Sequence, residues 1–552
     1  MAQTTDDVST YDYIIIGGGT TGIVAARRLA ENNANFSVCI LEAGPSNEDI
    51  VNSHMPGGWI LMQKTPVDWC YETVPQKGCN NRIISLPRGR LLGGCSAANG
   101  TLVTRGPKAD YDRIADMGNP GWSEKILESF IDSGFDYKPD MFVQGEYEGV
   151  GHVGRTAYNG IRSTSADFIN KYDKTNLIVR TGAFVDRIIL EKSDEKEGEY
   201  KAVGVEAHDN TNSQPIIIKA NKEIILSAGA YNSPMVLMHS GIGSEKHLNE
   251  VGIGCKINLP GVGENLQDHI IVCTSYQVND PNLTYDRFLY HHPDGLTLAV
   301  KEWQDTKTGV MTSLPLAVMA LTRIDKTIQD PAWEAAKAKQ QSKNSSNSDP
   351  TGQWPNQPHI ELITTQLYMG LPDFLDADGL PYNPVNGEGI FTTVAFLCGQ
   401  QARGTVRLSF KDPTSKPIID HAYLDNDLDV AVLAEGCRLC HEIIMKGRGT
   451  KDIIVGAWPK IVPHPNDMIG WKEHVRAFAS TCFHPGGTCK MAPDNDPMGV
   501  VDSRLRVRNV KGLRVADVSI LPILNNGHPQ IFAYAIGEKV ASMILQDVDV
   551  SK

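Results

Sequence analysis

Three things are scarce in this 552-residue chain: long apolar runs, positive charge, and cysteines that could pair off. No stretch approaches the roughly 18 to 20 successive apolar residues that a membrane-spanning helix needs. Lysine and arginine number 52 against 65 aspartates and glutamates, a formal charge of −13. Without a basic surplus to displace counterions from phosphates, no nucleic-acid partner is expected. Eleven cysteines, an odd number scattered over a large chain, fit reduced thiols better than a disulfide framework. Cys437 and Cys440 form a CxxC, but within the helical pattern DVAVLAEGCRLCHEIIM and with no thioredoxin-like strand before them. They read as helix cysteines, and no metal site is expected. The start MAQTTDDVST lacks the basic and apolar regions of a signal peptide, and the end VDVSK matches no anchor signal, so an intracellular protein is expected. With 41% hydrophobic and 21% charged residues, the composition is that of an ordinary globular enzyme.

The most informative stretch is Tyr11 to Gly44, YDYIIIGGGTTGIVAARRLAENNANFSVCILEAG. An apolar run meets a cluster of glycines, a helical pattern follows through Leu29, and a second apolar run ends in Glu42. This predicts strand, turn, helix and strand, the α/β unit that binds dinucleotides. Gly17 permits the tight turn, Gly19 lets the backbone approach a pyrophosphate beside Thr20 and Thr21, and Gly22 lets the helix pack on the sheet. Glu42 lies 20 residues beyond Gly22 (42 − 22), where with Ala43 it can meet the adenosine ribose. A carboxylate there disfavours NADP. These residues leave FAD and NAD both open.

Further along, LPRGRLLGGCSAANGTLVTRG (Leu86 to Gly106) concentrates small residues: Gly93, Gly94, Ser96, Ala97, Ala98, Asn99 and Gly100. Such density suits a backbone passing close to a flat ligand, and the flanking Arg88 and Arg105 favour a phosphate or flavin neighbour. Ile178 to Val185 and DRIILEKS alternate as a strand pair, with the acidic EKSDEKEGEYK as an exposed hairpin tip. In KEIILSAGAYNSPMVLMHSGIG a strand ends at Ala228 and Gly229, and Ser233 with Pro234 predicts a helix start there. NLPGVGENLQDH is turn-rich and leads into a strand. Residues 325–358 read as a helix running into a polar surface loop, and Gly389 to Phe410 as strands of an antiparallel sheet. A long helix is expected over Asp427 to Met445.

Among 15 histidines, two stand out by setting. His484 lies in STCFHPGGTCKM and His528 in NNGHPQ, each followed by proline in a glycine-containing turn, the second just before a helix starting at Pro529. Neutral histidine suits proton abstraction near pH 7.

Taken together, GGGTTG with Glu42, GGCSAANG, SAGAYNSPMVLMHSGIG, HPGGTCKM and NNGHPQ resemble, in order, the motifs of the glucose–methanol–choline family of flavoproteins. The resemblance runs from residue 11 to about 545, nearly the whole chain. It implies FAD, a Rossmann-like FAD-binding domain (8–275, with substrate-domain segments inserted, and a return over 501–545), and a substrate domain on an antiparallel sheet (276–500). It implies His484 as the catalytic histidine and His528 at the second position, which is His or Asn in family members. It places Val185 at the adenine, Ala98 and Asn99 beside the isoalloxazine, Asp517 near the phosphates or ribityl chain, and Pro529 and Gln530 near the pyrimidine edge. Some members carry a histidine bonded to the flavin in the GGCS loop. Ala97 and Ala98 stand in that stretch here, so noncovalent FAD is expected.

The activity so implied is oxidation of a primary alcohol, aromatic or aliphatic, with oxygen as acceptor and peroxide as product. A quinone-type acceptor and non-redox cyanohydrin cleavage are the alternatives. Sequence leaves open which histidine is the base and what the oligomeric state is. Trp303, Tyr368, Phe374 and Phe396 are aromatic in the substrate region, but pattern alone does not assign them to a pocket.

Overall fold

The computed structural model describes residues 9–32, 36–104, 147–194, 197–209, 212–312, 316–342, 349–370, 383–385, 387–410, 412, 415–447, 450–459 and 462–550. Arg105 and Phe374 lie outside the described residues.

The opening motif folds as predicted. Strand β1 (Thr10–Ile16) leads through the glycine turn into helix α1 (Thr20–Ala30) and back to β2 (Val38–Glu42), which is buried along its whole length. β1 and β2 are parallel, and a third parallel strand, β3 (Leu177–Thr181), extends them on the far side of β2. β4 (Ala183–Lys192), β5 (Tyr200–Asp209) and β6 (Asn212–Leu226) complete the main path of an eight-stranded sheet in the order β3-β2-β1-β6-β5-β4. The last residues of β6 run parallel to β1, with Ile16 opposite Leu226, so both strands deliver their C-terminal ends to one edge. In such sheets a ligand binds outside the carboxyl ends of the strands.

Two expectations from pattern need correction here. Ile178–Thr181 and Ala183 onward are both strands, but they do not pair with each other. Gly182, at φ +71°, redirects the chain, so that β3 joins β2 while β4 pairs antiparallel with β5. The acidic segment after Lys192 links β4 to β5. Helix α2 (Gly229–His239) starts four residues before Ser233, leaving Pro234 inside it. A proline there removes the N–H that would reach the Ala230 carbonyl. The Thr488 hydroxyl takes that place, donating to the Ala230 oxygen at 2.6 Å. The carboxylate of Asp517 meanwhile accepts from Gly229 N (2.9 Å) and Ser233 Oγ (2.6 Å), which supplies the missing start signal.

The second sheet is antiparallel and seven-stranded. It contains β7 (Ile270–Val278), β8 (Leu316–Thr322), β9 (Ile360–Thr365), β10 (Gly389–Leu397), β11 (Ile454–Trp458) and β12 (Ala479–Thr481), in the order β11-β7-β10-β9-β8, with Gly149–His152 at the edge beyond β8 and β12 paired to β7. Thr405–Arg407, expected in this sheet, pairs instead with Ile418–Asp420, because Gly404 is drawn into a bridge with Leu266. Helix α3 (Asp427–Lys446) packs across β10 and buries Cys437 and Cys440. The chain then returns to the first sheet: β13 (Leu513–Val515) runs parallel to β6, and helix α4 (Gln530–Val550) lies against α1, where Thr21 Oγ1 donates to the Ala533 carbonyl at 2.9 Å. No helix among the described residues is long and apolar enough to cross a membrane.

Candidate active site

Where the parallel strand ends face the second sheet, a cavity of about 1060 Å³ runs between them. At one end is the glycine turn. Gly17 takes φ +101°, and a Cβ there would lie 2.5 Å from the Ser227 carbonyl oxygen, so only glycine fits. The GGCSAANG loop lies directly on this turn: Gly93 N donates to the Gly18 carbonyl at 2.8 Å, and Gly94 approaches Gly19 closely enough to exclude a side chain. Helix α1 starts here, so its first N–H groups and positive dipole end face the cavity. Glu42 is buried beneath. Its two oxygens accept from Gly18 N at 2.9 Å and Gly44 N at 2.8 Å, and burial raises its pKa against the pull of those bonds.

The other end is built from side chains of four separate segments. His484 sits on the turn after β12, and this turn is zipped to the residues before β7: Cys482 N donates to the His269 carbonyl, and Gln267 and Gly486 exchange backbone bonds. Phe483 is forced to φ +64°, an uncommon conformation for a bulky residue. Buried Asp268 stabilises that turn by accepting from His484 N (2.7 Å), Thr481 Oγ1 (2.6 Å) and the Tyr423 hydroxyl. Burial lifts the Asp268 pKa to about 6, with those same bonds opposing. Arg88 donates to the Phe483 carbonyl at 2.6 Å, so its guanidinium braces the same turn.

His528 lies opposite, its ring centroid 4.8 Å from that of His484 at an interplanar angle of 76°. Its Nε2 is 3.0 Å from Oε1 of Glu361, a fully buried residue on β9, and its backbone N–H donates to Thr104 Oγ1 at 2.6 Å. Nδ1 of His484 meets Nδ1 of His269 at 3.1 Å. Burial, then the neighbouring His528, His269 and Arg88, hold the His484 pKa well below the usual histidine value. Phe396 underlies all three imidazoles, with ring centroids 4.4 to 6.0 Å away. Around the histidines the cavity wall is apolar: Leu102, Ile271, Ile363, Met369, Val394 and Phe483.

Of the residues singled out in the sequence, Gly17, Gly19, Thr20, Thr21, Glu42, Ala43, Arg88, Gly94, Ser96, Ala98, Asn99, Gly100, Val185, Ala228, Gly229, His484, Asp517, His528, Pro529 and Gln530 line this one cavity. Gly22 and Gly93 stand behind its wall. Gly22 packs on the Gly17 carbonyl and Ile15, and Gly93 bonds to Gly18. Asp517 has both oxygens engaged by protein donors, Ser519 N holding the second at 2.7 Å. Trp303 is buried in a separate cluster with Met55 and Met311, and Tyr368 packs on Trp458.

Sequence reasoning missed Asp268, His269, Glu361 and Arg162. The last is buried and donates to the carbonyl and Oδ1 of Asn99 at 2.6 and 2.7 Å, while burial pushes its pKa down to about 9. The one available signal was a lone charge in an apolar strand, as in IELITT. Among the described residues, no group of three or more His, Cys, Asp or Glu is placed to hold a metal ion.

Family models described as GMC oxidoreductase match residues 11–135, 131–271 and 400–537. The chain belongs to the GMC oxidoreductase family. A pyranose dehydrogenase of Agaricus campestris is 30% identical over 97% of this chain and 93% of its own. An oxygen-dependent choline dehydrogenase of Photobacterium profundum is 29% identical over 98% and 94%. In three dimensions a formate oxidase superposes with TM-score 0.85 at 28% identity, covering 98% of this chain and 99% of the other. As in the family, the cofactor is FAD, and the substrate is of the CH–OH type. The cavity fits that cofactor: Glu42 is a buried carboxylate that accepts from the backbone N–H groups of Gly18 and Gly44, and both amide atoms of Gln530 are buried without a well-formed protein hydrogen bond.

Proposed function

We propose that this oxidoreductase converts a primary aliphatic or aromatic alcohol to its aldehyde, with His484 as base and His528 orienting the hydroxyl, and passes the electrons to oxygen to give peroxide. The observation that carries this reading is the facing pair of imidazoles. Each ties one ring nitrogen to a buried partner, Nδ1 to His269 in His484 and Nε2 to Glu361 in His528, which leaves the opposite nitrogen to the cavity. FAD supplies the two-electron acceptor. His484 takes the hydroxyl proton, a step whose catalysis is worth about 10² to 10⁴ in rate. His528, fixed by Glu361, holds the oxygen so that the carbinol carbon faces the cofactor. The apolar wall supports an alcohol without further polar groups, since a sugar's hydroxyls would lose hydration there without partners.

On this reading Gly17, Gly19, Thr20 and Thr21 meet the pyrophosphate, Glu42 and Ala43 the ribose, and Val185 the adenine. Arg88, Gly94, Ser96, Ala98, Asn99 and Gly100 form the flavin loop, and Pro529 and Gln530 meet the pyrimidine edge of a noncovalently held FAD. Gly22 and Gly93 support the cradle from behind, and Ala228, Gly229 and Asp517 close its side. The cofactor domain comprises 8–275, with substrate-domain segments inserted, and 501–545, and the substrate domain comprises 276–500. Because a relative is named a pyranose dehydrogenase, the second reading is a quinone-type acceptor in place of oxygen.

Anaerobic mixing with hexanol or benzyl alcohol tests the reaction class: bleaching of the flavin supports oxidation, and an unbleached flavin fits non-redox cleavage. His484→Ala should stay folded and yellow but lose most flavin reduction, and near-normal reduction would sink the assignment. Peroxide assayed against dye reduction decides the acceptor.

A further inference from the structure

The reading above uses His269 only as the buried partner of the proposed base and leaves open which of the two rings holds the shared proton. It sits at the entry to β7, is almost fully buried, and lies 4.4 Å from Phe396 by ring centroids. Its Nδ1 and that of His484 are 3.1 Å apart. Two imidazole nitrogens at that distance share one proton: one donates and the other accepts. If His269 donates, the remaining proton of neutral His484 is on Nε2, and the nitrogen facing the cavity has no lone pair for a substrate. If His484 donates from Nδ1, its Nε2 is the free base.

The surroundings of His269 select the second arrangement. The Asn525 backbone makes a hydrogen bond that favours proton retention on the His269 ring, the effect of a carbonyl acceptor. With Nδ1 turned to His484, that N–H belongs to Nε2, so Nδ1 of the neutral ring carries the lone pair. Burial keeps the ring neutral, lowering its pKa to about 3.

We infer that His269 is a positioning residue: by accepting the Nδ1 proton of His484 it fixes the tautomer in which Nε2 of His484 is the base toward the alcohol. The inference rests on His484 being the base. In the step it serves, the hydroxyl proton moves to Nε2 of His484 and the O–H electron pair stays on oxygen. That pair closes the C=O bond as hydride leaves the carbon for FAD. His484 ends as an imidazolium still donating from Nδ1 to His269.

The test is the rate of anaerobic flavin reduction in the FAD-loaded enzyme, measured with primary alcohols of graded hydroxyl acidity. His269→Leu should slow reduction about 100-fold, near the lower bound for loss of a general base, and least for the most acidic alcohol, which needs the base least. His269→Asn, whose amide oxygen can stand where Nδ1 stood, should recover to within about 5-fold of the parent. Should the leucine variant bind FAD poorly, His269→Gln replaces it, since its longer side chain carries the oxygen past that point. A loss equal for all alcohols, or equal in the Asn and Gln variants, would mean mere packing and overturn the inference. His484→Ala run in parallel separates the two claims. If it is inactive while His269→Leu reduces normally, this inference alone fails; if it reduces normally, the base assignment fails first.

Discussion

The two ends of the cavity are made from different material. At the glycine end the lining is mostly backbone: the N–H groups opening α1 and the close contact of Gly94 on Gly19, with the carboxylates of Glu42 and Asp517 tied to backbone N–H groups beside them. At the histidine end they are side chains from four segments, His269 before β7, Glu361 on β9, His484 after β12 and His528 before α4, held by bonds between segments more than a hundred residues apart. A backbone cradle depends on local conformation. A side-chain cluster depends on the packing of two sheets.

The sharpest break between them should come from Gly17→Ala. Its Cβ would meet the Ser227 carbonyl at 2.5 Å and its φ of +101° is strained for alanine, a cost of about 1–3 kcal/mol for the backbone alone. The purified variant should contain little FAD, read from its visible absorbance. At the other end, Glu361→Gln should leave FAD content unchanged and slow flavin reduction about 10- to 100-fold, the worth of one charge-assisted bond of about 1.5–3 kcal/mol. If the Glu361 variant loses FAD instead, the two ends are not independent.

The pH dependence distinguishes them more gently. Burial and the neighbouring histidines lower the His484 pKa, and a base must be neutral to act. Its neutral form therefore persists as pH falls through 6.5, and protonation sets in only in more acid solution. Flavin reduction by the parent enzyme should change less than about twofold between pH 8 and 6.5. A decline centred near 6.5 would place the base on a histidine with an ordinary environment.

Legibility in the sequence follows the same division. The cradle was readable because strand, glycine turn, helix and terminal Glu42 have fixed spacings imposed by local geometry, and the observed β1–α1–β2 unit follows them. His484 and His528 were found through their turns and the family's motifs. Asp268, His269 and Glu361 were not, because each acts across a sheet contact that leaves no periodic trace. The misread strand pair at Ile178–Lys192 has the same origin: alternation reveals a strand but not which neighbour it chooses. The misplaced start of α2 arose because Asp517, 288 residues beyond Gly229, caps it.

Thr488 joins the two ends, since it follows His484 on the same loop yet donates into α2 beside the cradle. Its hydroxyl bonds to the Ala230 carbonyl that Pro234 leaves without an N–H. Thr488→Val keeps the shape and removes that donor, so an orphaned buried carbonyl should cost about 1–3 kcal/mol in denaturant unfolding. In a Pro234→Ala background the alanine N–H can reach the Ala230 carbonyl, and the loss should shrink toward zero. A full loss in both backgrounds would mean that Thr488 acts through the histidine loop and not through the helix. The coupling between the two substitutions then measures how tightly the side-chain end is fastened to the backbone end.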